Sequence, residues 1–112
     1  MSNNTFNNRK LPIACLLPNH EQAKRREKIA NDIFKGAEET REIRDGFSFR
    51  YPGTDDWISK ISEFIMFERK CCPFFTFELL FASNTGPVYL HIRGSKDVKE
   101  FIKKELLQYK SS

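Results

Sequence analysis

The sequence predicts an α+β fold, a two-layer sandwich of order β-α-β-α-β-β-α with a four-stranded mixed sheet and helices on one face. Three observations point there. Apolar residues recur at helical spacing in three separate segments, at alternating spacing in others, and Gly or Pro punctuates nearly every change of period. At 112 residues, with a hydrophobic fraction of 39% and eleven phenylalanines, the chain can build one core of that kind and suits one domain.

Residues 1–10, "MSNNTFNNRK", are polar and Asn-rich, and they read as a disordered tail ahead of a single domain over 11–112. "LPIACLL" at 11–17 is a short apolar run that suits a buried strand. Pro18 ends it. Asn19 with Gln22 forms a capping-box start for a helix that runs to about Lys35, with Gly36 just past its end. Ala23, Arg26, Ala30, Ile33 and Phe34 trace its inward stripe.

In "REIRDGFSFRY" at 41–51, Phe47, Phe49 and Tyr51 alternate with Ser48 and Arg50, which marks a half-buried strand. Asp45-Gly46 fits a hairpin or a bulge, and the short arm before it favours one bulged strand. Thr54 or Asp55 caps the second helix. Its stripe of Trp57, Ile58, Ile61, Phe64 and Ile65 continues to Glu68, and Pro73 places its end near Cys71. "FTFELLFA" at 75–82 and "PVYLHIR" at 87–93 form a hairpin across Ser83–Gly86. Ser95 caps a last helix with Val98, Phe101, Ile102 and Leu106 inward.

The net charge of +4 comes from lysines and arginines that alternate with Glu27, Asp32, Glu100 and Glu105 on helix segments. Mixed signs of this kind mark solvated helix faces and argue against a nucleic-acid footprint. No apolar run is long enough to span a membrane and no secretory leader is visible, so the expected compartment is the cytoplasm. Aromatic residues on the open sheet face would suit a homodimer.

The chemistry concentrates in "FERKCCPFF" at 67–75. The count of three cysteines is odd and no leader accompanies them, which argues against a disulfide framework and for free thiols. A bond between Cys71 and Cys72 is disfavoured, because neighbouring Cα atoms lie about 3.8 Å apart, short of a disulfide's usual span. Pro73 stops the helix there, and only such an irregular junction aims adjacent side chains at one spot. Thiolates favour soft metal ions, so Cys15, Cys71 and Cys72 form a candidate ligand set for one, with Glu68 in support. No C-x-x-C pair accompanies them.

Arg69 and Lys70 would stabilise a thiolate, whereas a helix C-terminus works against one. His91, mid-strand in the hairpin formed by 75–82 and 87–93, is a secondary candidate, as is Arg69. Glu68, a carboxylate on an inward stripe, needs a partner such as Arg93, Arg50 or Arg26, or else a role as ligand or proton carrier. Three function classes fit. One is a soft-metal or thiol-reactive-ligand binder; another is a structural or interaction module, dimeric, with buried free cysteines. The third is a thiol enzyme with Cys71 or Cys72 as nucleophile. No catalytic triad stands out to single out the last.

"ACLL" at 14–17, "FERKCCPFFTFEL" at 67–79 and "GPVYLHIRG" at 86–94 together resemble a family of small bacterial proteins of uncharacterised function. Its members carry an early A-C strand, an E-x-x-C-C-P-F-x-x-F-x-L junction and a G-P-V hairpin. There is a looser resemblance to segments of mercury- or heavy-metal-type regulators. The family resemblance implies the fold unit, and it implies that Glu68 travels with the cysteine pair toward a shared site.

Overall fold

The computed structural model describes residues 20–110. The expected tail, the expected first strand with Cys15, and the Asn19 cap fall outside the described residues. From His20 onward the elements are α1 (His20–Gly36), β1 (Glu39–Ile43), β2 (Gly46–Tyr51), α2 (Asp55–Cys71), β3 (Thr76–Phe81), β4 (Val88–Arg93) and α3 (Lys96–Lys110).

The sheet has four strands in the order β1-β2-β4-β3, and every pairing is antiparallel. This corrects the expected mixed sheet. The reason lies in residues 39–51. They form a hairpin, with Ile43 opposite Gly46, where one bulged strand was expected. Glu38 N–H donates to the Arg50 carbonyl at 2.7 Å, which lengthens the arm that looked too short for a partner. Gly46 is required at the turn: a Cβ there would lie 1.9 Å from the Ile92 carbonyl oxygen of the neighbouring strand.

Strand alternation sets the core. Phe47, Phe49 and Tyr51 of β2 and Val88, Leu90 and Ile92 of β4 are buried. They cluster with Ala30, Ile33 and Phe34 of α1, Ile61 and Phe64 of α2, and Val98, Ile102 and Leu106 of α3. The Tyr51 hydroxyl donates to the Ile33 carbonyl at 2.8 Å, so the largest buried polar tip is satisfied. The alternate residues Ser48, Arg50, Tyr89, His91 and Arg93 are only partly buried.

The local signals behave as their chemistry requires. Thr54 caps α2, accepting from Trp57 N–H at 3.3 Å, and Ser95 accepts from Val98 N–H at 3.3 Å. Asn84 and Thr85 turn the β3–β4 hairpin with positive φ of 60° and 50°. Among the described residues no helix is long and apolar enough to cross a membrane.

Candidate functional site

Two helical stripes converge to build the site. On α2 the buried positions are Ile61, Phe64, Glu68 and Cys71, at helical spacing, so the carboxylate and the first sulfur lie on the face that carries the core. On α1 the buried positions are Arg26, Ala30, Ile33 and Phe34. The two helices pack together, and Arg26 grips Glu68 bidentately through the Nε–Nη2 edge of its guanidinium. Its Nε donates to Glu68 Oε2, and its Nη2 donates to Oε1 at 2.9 Å. The same Nη2 donates to Glu105 Oε1 of α3 at 2.9 Å. One cation therefore ties three helices. The Glu68 side chain is 1% exposed, that of Arg26 9% and that of Glu105 19%.

Of the three partners the sequence offered Glu68, the structure selects Arg26. Glu105 was missed, because it read as one charge among many near the C-terminus. Its spacing was the available signal: it lies seven residues after Val98, on the stripe that includes Ile102 and Leu106.

Cys72 sits where α2 stops. Its backbone leaves the helix (φ −130°, ψ 73°) while its N–H still donates to the Glu68 carbonyl. Phe75 N–H then donates to the Cys72 carbonyl at 3.2 Å and turns the chain into β3. This geometry carries the Cys72 sulfur to 3.4 Å from that of Cys71, with both residues fully buried. Adjacent side chains thus reach one spot, as the Pro73 junction permits. Beyond them, Phe74 and Phe75 stack edge-on at 5.0 Å, and Phe74 meets Phe101 of α3 at 5.9 Å.

The two sulfurs are not in the same state. Cys71 is disulfide-bonded, and Cys72 is a free cysteine. The expectation of free thiols throughout is therefore corrected at Cys71. Sequence spacing holds no reliable disulfide signal for three cysteines, and only a fold brings distant sulfurs together. The Cys71–Cys72 separation of 3.4 Å exceeds the bond length of about 2.05 Å, so the adjacent pair is not the bridge.

Burial governs the electrostatics. It pushes the Cys72 thiol up from 9.0 to about 12, the neighbouring Glu68 charge adds to this, and Arg26 opposes it. Burial likewise raises Glu68, against the pull of Arg26. Burial works against the Arg26 charge too, but Glu68 and then Glu105 hold its pKa above the ordinary arginine value. One guanidinium faces two carboxylates in a low-dielectric site, so burial and the Glu105 charge oppose the Glu68 charge that Arg26 supports.

Arg69 and Lys70, expected to stabilise a thiolate, are exposed, while both described sulfurs are buried; the cation that acts on Cys72 is Arg26. His91 lies on β4 among the partly buried alternate residues, where Nδ1 is 3.1 Å from Glu78 Oε1. It belongs to a separate cluster in which Arg93 donates to Glu78 at 2.7 Å and to Asp45 at 2.6 Å. Among the described residues, no group of three or more His, Cys, Asp or Glu side chains is placed to hold a metal ion. No protein-family model, curated protein or solved structure matches the chain.

Proposed function

We propose that the chain binds a soft, thiophilic metal ion, or a thiol-reactive ligand of the same chemistry, through Cys71 and Cys72 together with Cys15, with Glu68 receiving the proton that a bound thiol releases. One observation carries this reading: two sulfurs 3.4 Å apart beside a fully buried carboxylate. A tetrahedral ion with metal–sulfur bonds of about 2.3 Å holds its ligands about 3.8 Å apart, so a few tenths of an ångström of movement would let one ion bridge the pair. A metal ligand must be a thiolate, so the binding form is the one in which Cys71 is reduced. The pH at which an ion displaces the Cys72 proton is lowered by the ion itself.

A second reading has its own support. Cys71 and Cys72 are 0% exposed, and Glu68 is already paired with Arg26. Those facts suit a non-enzymatic structural or interaction module whose sulfurs fill the core. That module would be a cytoplasmic two-layer sandwich, dimerising along β3, where Leu80 and Phe81 are 53% and 56% exposed.

The test is titration of the fully reduced, full-length protein with zinc, copper(I) or mercury(II), followed by desalting and metal analysis. Retention of one ion per chain, lost in Cys72→Ser, supports the binding reading. No retained ion of any of the three leaves the structural module.

A further inference from the structure

We propose that β3 pairs with β3 of a second copy of this chain, antiparallel about a two-fold axis through Leu79, so that the two sheets continue as one. The pairing rests on the structural-module reading for its place at β3, and it holds whether or not the sulfurs bind an ion.

The two edges of the sheet differ. β1 carries Glu39, Arg41 and Glu42 among its five residues. Arg41 donates to Glu39 at 2.8 Å, while Lys99 pairs with Glu42 and donates to the Ile43 carbonyl at the end of the strand. Charges of this kind guard an edge against a further strand. β3, "TFELLF", has one charge, no lysine and no proline. All six of its residues stay in register with β4, so no bulge twists this edge away. Leu80 and Phe81 are 53% and 56% exposed. Among the described residues, no strand lies beyond β3.

The ladder shows which backbone groups face outward. Ala82 N–H donates to the Pro87 carbonyl, so the even-numbered residues of β3 turn their N–H and C=O groups toward β4. By the alternation of an antiparallel pair, Phe77, Leu79 and Phe81 turn theirs to the free side. The Gly94 N–H bond to the Asp45 carbonyl gives the matching phase on the far side of β4.

Side chains then favour a second copy over an unrelated extended segment. A two-fold axis keeps every side chain on its own face. Centred on Leu79, the helix-side row reads Phe77 opposite Phe81, Leu79 opposite Leu79, and Phe81 opposite Phe77. The exposed Phe81 ring gains a neighbour in Phe77, which already meets Phe75 at 5.8 Å and Phe64 at 6.4 Å. On the open face, Glu78 of each copy lies opposite Leu80 of the other. An axis through Glu78 would set two carboxylates face to face, which destabilises a pair. An axis through Leu80 would shrink the overlap within β3 to residues 79–81. The Leu79 axis overlaps 77–81, and the outward groups of both copies exchange N–H···O=C bonds in full.

The experiment follows the reduced, full-length protein over a concentration series, by sedimentation and by amide hydrogen exchange read residue by residue with NMR. The expected result is a dimer that dissociates on dilution. The amides of Phe77, Leu79 and Phe81 should exchange at least about tenfold more slowly in the dimer, and those of Glu78 and Leu80, already bonded to β4, should not change. Two variants at the exposed Leu80 test the register. Leu80→Glu sets like charges opposite Glu78 in both halves of the pair, and Leu80→Lys sets opposite charges there. The first should dimerise about tenfold more weakly than the second. Equal weakening by the two, with the three amides protected in the dimer, would overturn the Leu79 axis and leave dimerisation along β3 standing. A dimer whose three outward amides stay fast would overturn the pairing and the β3 placement together. So would a monomer at every concentration, and slow exchange of those amides in a monomer would show the edge covered by its own chain.

Discussion

The molecule carries two charge clusters built from the same residue types with opposite relations to water. In one, Arg26 joins Glu68 and Glu105 beneath three helices, against the Cys72 thiol. In the other, Arg93 joins Glu78 and Asp45, with His91 alongside, on a sheet surface where the carboxylates are half exposed. Arg93 holds Glu78 and Asp45 below the ordinary carboxylate range, through hydrogen bonds that solvent screens. At the buried cluster desolvation outweighs the same attraction, and Glu68 moves up. Hydrogen-bond distances are alike in the two places, and the dielectric decides the sign. A buried carboxylate whose proton affinity is raised beside a sulfur is chemically useful in a way that an exposed one with lowered proton affinity is not.

The largest expected effect breaks the buried member of the comparison. Glu68→Gln leaves Arg26 with Glu105 as its remaining acid. It should cost about 3 kcal/mol, the lower end for removing one partner of a buried pair. Guanidinium unfolding of the reduced protein measures this, and Glu78→Gln in the same assay should cost far less. A loss at Glu68 no greater than at Glu78 would show that burial does not separate the clusters.

The next effect is alkaline. An unfolded cysteine ionises near 9, whereas Cys72 stays protonated in the fold to about 12. The folded state therefore binds one more proton across that window, and its stability falls as pH rises from about 9 toward 12. The unfolding equilibrium shifts by about tenfold per pH unit. Cys72→Ala should reduce that slope, leaving the part above pH 10 that the buried Tyr51 hydroxyl contributes, since burial raises it too.

A smaller effect of opposite sense appears in acid. Glu78 and Asp45 have folded pKa values below their unfolded ones. Their contribution is present above the unfolded values and is lost as pH falls through the folded ones. Glu68, raised in the fold, contributes at low pH and loses that contribution as pH rises above 4.5 through its raised value. Glu78→Gln should flatten the acid limb of the stability profile, and Glu68→Gln should steepen it. High salt should mimic the first substitution and not the second. Last and smallest, Arg69→Ala and His91→Ala should leave ion retention by the reduced protein unchanged, because neither side chain lies at the sulfur pair.

Much of this architecture was legible in the sequence, for definite reasons. Helical spacing from Ile61 to Glu68 gave α2 and its inward carboxylate. Pro73 gave the end of α2, and Thr54 and Ser95 gave two helix starts. The β1–β2 hairpin was not legible, because β1 (Glu39–Ile43) carries Glu39, Arg41 and Glu42 among its five residues and shows neither an apolar run nor alternation. Its strand state comes from pairing with β2, a tertiary fact. The antiparallel sheet follows from that hairpin. Glu68 announced that it needed a partner, but three arginines were eligible, and only the packing of α1 on α2 selects Arg26. The disulfide at Cys71 depends on sulfurs meeting in space, which no spacing among three cysteines encodes. Cys15 itself lies outside the described residues, so the sequence remains the ground for including it.

The most direct test of the central claim is X-ray absorption at the zinc edge of the reduced, zinc-loaded protein, compared with Cys72→Ser. The account predicts a first shell dominated by sulfur at about 2.3 Å, with its sulfur content reduced in the variant. A shell of nitrogen and oxygen alone, or a sulfur shell that Cys72→Ser leaves intact, would contradict it.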